Sequence, residues 1–205
     1  MSTPTYLSIT EGAGKKVAAA SYTEAGQTVL DQKILVGEQY LSTYTVNALG
    51  ILTTTTGAHL LQVMAGTGLN IRLRHIAVWQ SVLATASAFA DLSIVRLTSA
   101  GSGGTVITPA PHDPADTATA TAMSLPSSKG SLGVVILQPT VCFSQTVPLS
   151  GPNTLPLLFE HDWDGLRSKP PIISAGTSSG IAIQIVTGVA TATVNIALTF
   201  TELSF

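Results

Sequence analysis

Between Thr193 and Thr201 the side chains alternate without interruption. Val194, Ile196, Leu198 and Phe200 share one parity; Thr193, Asn195, Ala197, Thr199 and Thr201 share the other. Successive side chains on a strand point to opposite faces, so this period of two demands a strand with one face buried. The same rhythm runs just upstream, where Ile181, Ile183 and Ile185 alternate with Ala182, Gln184 and Val186. Gly188 stands between the two runs, and the pair predicts a C-terminal hairpin.

A third long strand begins at Leu69, with Leu69, Ile71 and Leu73 on one face and Asn70, Arg72 and Arg74 on the other. Beyond Arg74 the phase is lost, because Ile76 and Val78 fall on the arginine parity. Either both faces are covered there or a bulge near His75 resets the register. Residues 90–97, 132–137, 141–147 and 155–159 read as further strands.

The connections are turns. Ser99-Ala100-Gly101-Ser102-Gly103-Gly104 links Leu97 to Val106, and residues 108–130, with Pro109, Pro111, Pro114 and Pro126, form a long loop. Asp113 before Pro114 is placed to cap a short helical turn within it. Many short strands, Gly/Pro turns and little helical signal specify an all-β sandwich or barrel. Strand alternation alone leaves open whether a jelly roll or an immunoglobulin-like order results.

Residues 1–56 differ from the rest. Seven of the twenty charged residues precede Gln39, none lies between Glu38 and Arg72, and no period is sustained. This stretch reads either as an extended N-terminal arm or irregular β segment, able to lace onto a neighbour, or as two more edge strands. A compact domain follows over residues 57–205.

Charged residues make up only 10% of the 205, against about 25% in ordinary globular chains. Thr, Ser, Ala and Gly take their place. A surface this neutral fits a protein whose exterior is covered by neighbours, since interface cores are depleted in charge; an extracellular Ser/Thr-rich β protein is the other reading. The nine basic residues are scattered and the net charge is −2, which excludes nucleic acid as the main partner. Cys142, the single cysteine, cannot form a disulfide within the chain and reads as a buried apolar residue. The N-terminus has no signal-peptide pattern. Residues 170–201 carry no charge, but Gly176, Gly180, Gly188, Gln184 and Asn195 make them unlike a membrane helix.

Two polar clusters could carry chemistry. Glu160-His161-Asp162-Trp163-Asp164 offers oxygen and nitrogen ligands for a divalent cation, although only alternate members of a strand converge. The competing reading is a polar loop with Trp163 as a packing anchor. His112, Asp113 and Asp116 form the second. No G-x-S-x-G elbow and no P-loop is present. Aromatic residues are 5% of the chain, a poor supply for a polysaccharide groove. Arg72 and Arg74 form a stripe facing either a neighbouring subunit or solvent.

Several of these segments together resemble a known group. They are Gly68-Leu69-Asn70-Ile71-Arg72-Leu73-Arg74-His75-Ile76, Ala86-Ser87-Ala88, residues 92–97, Gly103-Gly104-Thr105-Val106-Ile107-Thr108-Pro109 and His112-Asp113-Pro114-Ala115. With the lead-ins Gln32-Lys33-Ile34-Leu35-Val36-Gly37-Glu38 and His59-Leu60-Leu61-Gln62, they are similar to small tailed-phage structural proteins with a β-sandwich, often jelly-roll, domain. The likeness spans residues 31–130 and rests mostly on turn chemistry and alternation. It implies a virion protein, frequently a homotrimer, that decorates or cements the capsid by binding the major capsid protein, or that belongs to the tail. It carries over no catalytic residue, cofactor or metal.

The expectation is therefore a non-enzymatic jelly-roll-like sandwich at the capsid surface, with no nucleic-acid or membrane partner. Arg72, Arg74, Trp79, His112, Asp113 and Trp163 are the candidate interface residues. A tail-fibre or baseplate module binding a host glycan is the alternative, with Trp79, Trp163 and the His112 loop as its contacts. A small carbohydrate-active enzyme would instead need two carboxylates, Asp162 and Asp164, in one groove about 5–10 Å apart.

Overall fold

The computed structural model describes residues 19–24, 27–32, 41–82, 88–144, 157–164, 169–187 and 193–203. The chain divides into two compact units, Met1–Tyr40 and Leu41–Phe205. In the first, β1 (Ala19–Glu24) pairs antiparallel with β2 (Gln27–Gln32). The lead-in at residues 33–38, residues 86–87, residues 145–147, Leu155 and Gly188 lie outside the described residues.

The second unit is a sandwich of two antiparallel sheets. Its strands are β3 (Thr43–Leu52), β4 (His59–Met64), β5 (Asn70–Val82), β6 (Ala88–Leu97), β7 (Thr105–Ile107), β8 (Ala110–Pro111) and β9 (Thr121–Ser124). They continue with β10 (Leu132–Ser144), β11 (Leu157–Asp162), β12 (Ile172–Ile173), β13 (Gly180–Thr187) and β14 (Thr193–Leu203). One sheet has the order β11-β5-β14-β3-β8, with β12 also on β5; the other has β10-β6-β13-β4-β9-β7. The expected domain border at Gly57 falls inside this unit, between β3 and β4.

The pairing is nested. β3 pairs with β14, β4 with β13, β5 with β11 and β6 with β10. A long antiparallel ribbon wound on itself in this way, with its strands distributed over two sheets, is the jelly-roll order. The segment β7–β9 is an excursion between β6 and β10 that extends both sheets beyond β3 and β4.

This winding corrects the expected C-terminal hairpin. β13 and β14 belong to different sheets: β13 lies between β4 and β6, β14 between β3 and β5. Alternation identifies the inward parity of both strands, although on β13 Ala182, of the outward parity, is buried as well. It carries no information on which strand supplies the hydrogen bonds, and in a sandwich two consecutive strands can face each other across the core. Two further expectations change. Residues 132–137 and 141–144 are parts of one strand, β10, whose register against β6 slips between Leu132 and Val135, between Val135 and Leu137 and between Leu137 and Thr140. The long loop at 108–130 contains β8 and β9. Asp113 caps a single turn there, as expected: its Oδ1 accepts the Ala115 N–H (3.0 Å) and its carbonyl the Asp116 N–H (3.0 Å).

The core forms where the inward parities meet. Ile71, Leu73, Ile76 and Val78 of β5, the four apolar residues of β14, and Tyr44, Val46 and Ala48 of β3 pack against Leu61, Val63, Ile181, Ile183 and Ile185. Tyr44 stacks on Phe200 with ring centroids 5.6 Å apart. The phase change after Arg74 is a bulge: Thr199 opposes His75 and Phe200 opposes Leu73, leaving Arg74 as the extra residue. The insertion lets Leu73 and Ile76, three apart, both point inward.

Among the described residues no helix is long and apolar enough to cross a membrane. The uncharged stretch at 170–201 holds β12, β13 and β14.

Candidate interaction face

The outer side of the β5 sheet is built from the polar parities of β3, β14 and β5. Its side chains form transverse rows, because register aligns one residue from each strand. In the first row the His112 ring, on the turn after β8, meets the Thr45 hydroxyl through Nε2 (2.9 Å). Thr45 Oγ1 lies 3.2 Å from Thr199 Oγ1. Thr199 opposes His75, whose Nε2 is 3.0 Å from Glu160 Oε1 on β11. The two polar clusters of the sequence thus sit at opposite edges of one sheet, joined by a row of threonines.

The next row is small and neutral: Asn47, Ala197 and Ala77, with Glu160 in register. Beyond it lie Asn195, Trp79 and Leu157. Here β3 bulges, with Leu49 and Gly50 opposite Asn195. Gly50 has φ +64°, a left-handed conformation that glycine adopts without strain, and its N–H donates to Asn195 Oδ1 (2.8 Å). Leu49 is left 72% exposed, and Leu52 and Leu157 are also exposed.

The acidic cluster is a corner of the fold. Glu160 meets His75. Asp162 Oδ1 accepts the Asp164 N–H (2.9 Å), and Asp164 Oδ2 accepts Arg74 Nε (2.6 Å). Trp163 turns inward, 6% exposed, with its backbone N–H donating to the Arg74 carbonyl (2.9 Å) and the His161 ring against the indole edge-on at 4.5 Å. It is a packing anchor, not a surface residue. Among the described residues no three potential ligands converge on a metal position.

Of the six candidate interface residues, Trp79 and His112 lie on this face and Asp113 closes the turn beside His112. The stripe expected for Arg72 and Arg74 is interrupted: Arg72 lies in register between Thr201 and Ile172, and Arg74 is the bulge residue tied to Asp164. At the opposite edge, β7, β8 and the loop to β9 line a cavity of about 330 Å³ between Val106, Ile107, Pro109, Pro111 and Ala118, with Asp116 its one carboxylate.

One structural residue escaped the sequence reading. Glu202 is 4% exposed, and its carboxylate accepts the backbone N–H groups of Thr119 (3.0 Å) and Ala120 (2.6 Å) and the Thr119 hydroxyl (2.9 Å). Such charge-assisted bonds are the strong ones, and these hold the β8–β9 loop to the sandwich. Glu202 continues the parity of Val194, Ile196, Leu198 and Phe200. An acid on the buried parity of a strand was the available signal.

Comparison with protein-family models, with curated proteins and with solved structures finds no match.

Proposed function

We propose that this chain is a structural protein of a tailed-phage virion that associates with copies of itself and decorates or cements the capsid shell. The observation that carries the assembly half of this reading is the outer side of the β5 sheet, whose centre along β3 and β14 is uncharged, with Arg72, Glu160 and Asp162 confined to its β5–β11 side. Thr45, Thr199, Asn47 and Asn195 offer small, neutral, hydrogen-bonding contacts beside Ala197, and its two rims carry the exposed Leu49, Leu52 and Leu157. A face of this kind meets an identical face without like-charge opposition, and apolar area removed from water there contributes about 25 cal/mol per Å² before association costs. The virion setting rests on the resemblance across residues 31–130.

Two measurements test it. Sedimentation equilibrium of the full chain yields an oligomer, with a trimer as the expected state. Co-pelleting with mature heads that lack the protein shows saturable binding. A monomer that leaves heads uncoated overturns the reading.

Trp79 beside Asn195 on the same face favours a second reading, a tail module that binds a host glycan, because a half-buried indole flanked by amides is a stacking platform for a sugar. Under that reading Trp79→Ala abolishes glycan binding and leaves the oligomer intact.

A further inference from the structure

The edges of the two sheets are guarded unequally. β7 is three residues long and β8 two. The edge beyond β5 carries the six residues of β11, with Glu160 and Asp162 on it, and the two of β12. Short edge strands and charged ones resist pairing with foreign strands. β10 has neither protection: it runs for 13 residues, pairs only with β6 among the described strands, and holds no charged residue. Pro139, which cannot donate to a ladder, sits at the last of three register slips against β6, the others falling between Leu132 and Val135 and between Val135 and Leu137, and it leaves residues 132–137 ahead of it. That segment presents apolar side chains to water: Leu132 is 52% exposed, Val134 74% and Val135 40%.

We infer that residues 132–137 of β10 pair antiparallel with the same residues of a second copy, about a two-fold axis, and join two six-stranded sheets into one. This rests on the self-association proposed above and specifies one of its contacts. An occupant of an open strand edge is itself a strand, because a row of backbone donors and acceptors must be matched. A second copy suits this edge because isologous pairing sets β10 against itself. With no charge on the strand, no like charges come opposite one another. With the axis at Val134, that β-branched side chain meets its counterpart, a favourable cross-strand combination. A two-fold contact at this edge also leaves the β5 sheet face free for contacts of another symmetry.

The test uses the full chain with Cys142→Ala, so that single cysteines introduced as Leu132→Cys, Val134→Cys or Val135→Cys carry one spin label each. Any dipolar coupling is then between copies. In an antiparallel two-fold pair, each residue of displacement from the axis changes the label separation by about 7 Å, twice the strand rise. The three separations are expected to follow that slope from a minimum within residues 132–137. In parallel, Val134→Lys raises the dissociation constant of the contact at least tenfold without lowering the melting temperature. Association that Val134→Lys leaves unchanged, with separations that ignore label position, overturns the edge pairing while the broader self-association stands. No association and no coupling at any concentration overturns both.

Discussion

The two sheets present opposite kinds of exterior. On the β4 sheet the outside is closed by the chain itself. All six residues of β4 are buried, inward and outward alike, and Met64, Val95, Leu97 and Ala182 form a second apolar cluster apart from the main core. The loops at 99–104 and 126–130 pack over this side. Gln62, buried, binds Gly101 twice, accepting its N–H at 3.2 Å and donating to its carbonyl at 3.5 Å. A Cβ on Gly101 would stand 2.6 Å from the Ser128 carbonyl, so the close approach requires glycine. Along β3 and β14 the outside of the β5 sheet is uncharged and partly exposed, with Arg72, Glu160 and Asp162 toward β5 and β11.

The sharpest way to break this comparison is to place a charge on each exterior. Val95→Lys buries an ammonium in the apolar cluster outside β6, where nothing compensates it. We expect a loss above about 4 kcal/mol, enough to leave the chain largely unfolded by circular dichroism. A soluble, folded Val95→Lys variant would mean that the β4 sheet exterior is as open as the other.

Next in size is Glu202→Ala, which strands the N–H groups of Thr119 and Ala120 in a buried place. Bonds to a charged acceptor contribute about 1.5–3 kcal/mol each and are not additive, so a loss of about 3 kcal/mol in urea unfolding is expected. Gln62→Ala removes the two bonds to Gly101 and costs about 1.5 kcal/mol. Both variants act on loops that the chain folds onto itself, and neither should change association through the β5 sheet.

The pH dependence of stability belongs to the covered side as well. His59 on β4 is buried, and its pKa is lowered from 6.5 first by that burial and then by Lys129, whose ammonium donates to the Gly57 carbonyl at 3.0 Å. The unfolded chain therefore takes up this proton at higher pH than the folded one. The stability held by neutral His59 is complete above pH 6.5 and declines as pH falls from there toward the lowered pKa. His59→Gln should flatten that part of the profile in thermal melts at pH 4.5–7.5; an unchanged slope would place the proton elsewhere.

Why the two exteriors could not be told apart beforehand is visible in particular residues. The alternation along β14 identified its buried parity correctly, and the lost phase after Arg74 marked a real bulge, because both are local consequences of side-chain direction. Partner choice is not local. Thr45 and Thr199 touch across 154 residues, and nothing in either segment names the other. The expected β13–β14 hairpin failed for that reason. Four residues of β9 went unseen inside a proline-rich stretch because so short a strand owes its existence to β4 and β7 on either side. Met64 and Leu97 are buried outside the sandwich, in a cluster apart from the main core, and no local pattern marks that side as covered. Of the residues singled out beforehand, Trp79 and His112 lie on the outer side of the β5 sheet, whereas Trp163 is packed inward, Arg74 is the bulge residue and Arg72 stays in register beside Thr201.

The smallest effect on folding carries the most information about function. Thr199 is half-buried at the centre of the open face, between Thr45 and His75, with its outward side chain clear of the core. Thr199→Lys should change unfolding free energy by no more than about 0.5 kcal/mol, since a lysine there can reach solvent along the sheet. If the face is covered by another copy, the same ammonium is repeated on both sides of the contact and loses its water. Sedimentation equilibrium should then show association weakened at least tenfold. Stability and association would separate in one variant, as Val95→Lys and the loop variants cannot make them do. A Thr199→Lys chain that folds and associates like the parent would leave the neutrality of this face without a role in assembly, and would shift the search for the contact to the β10 edge.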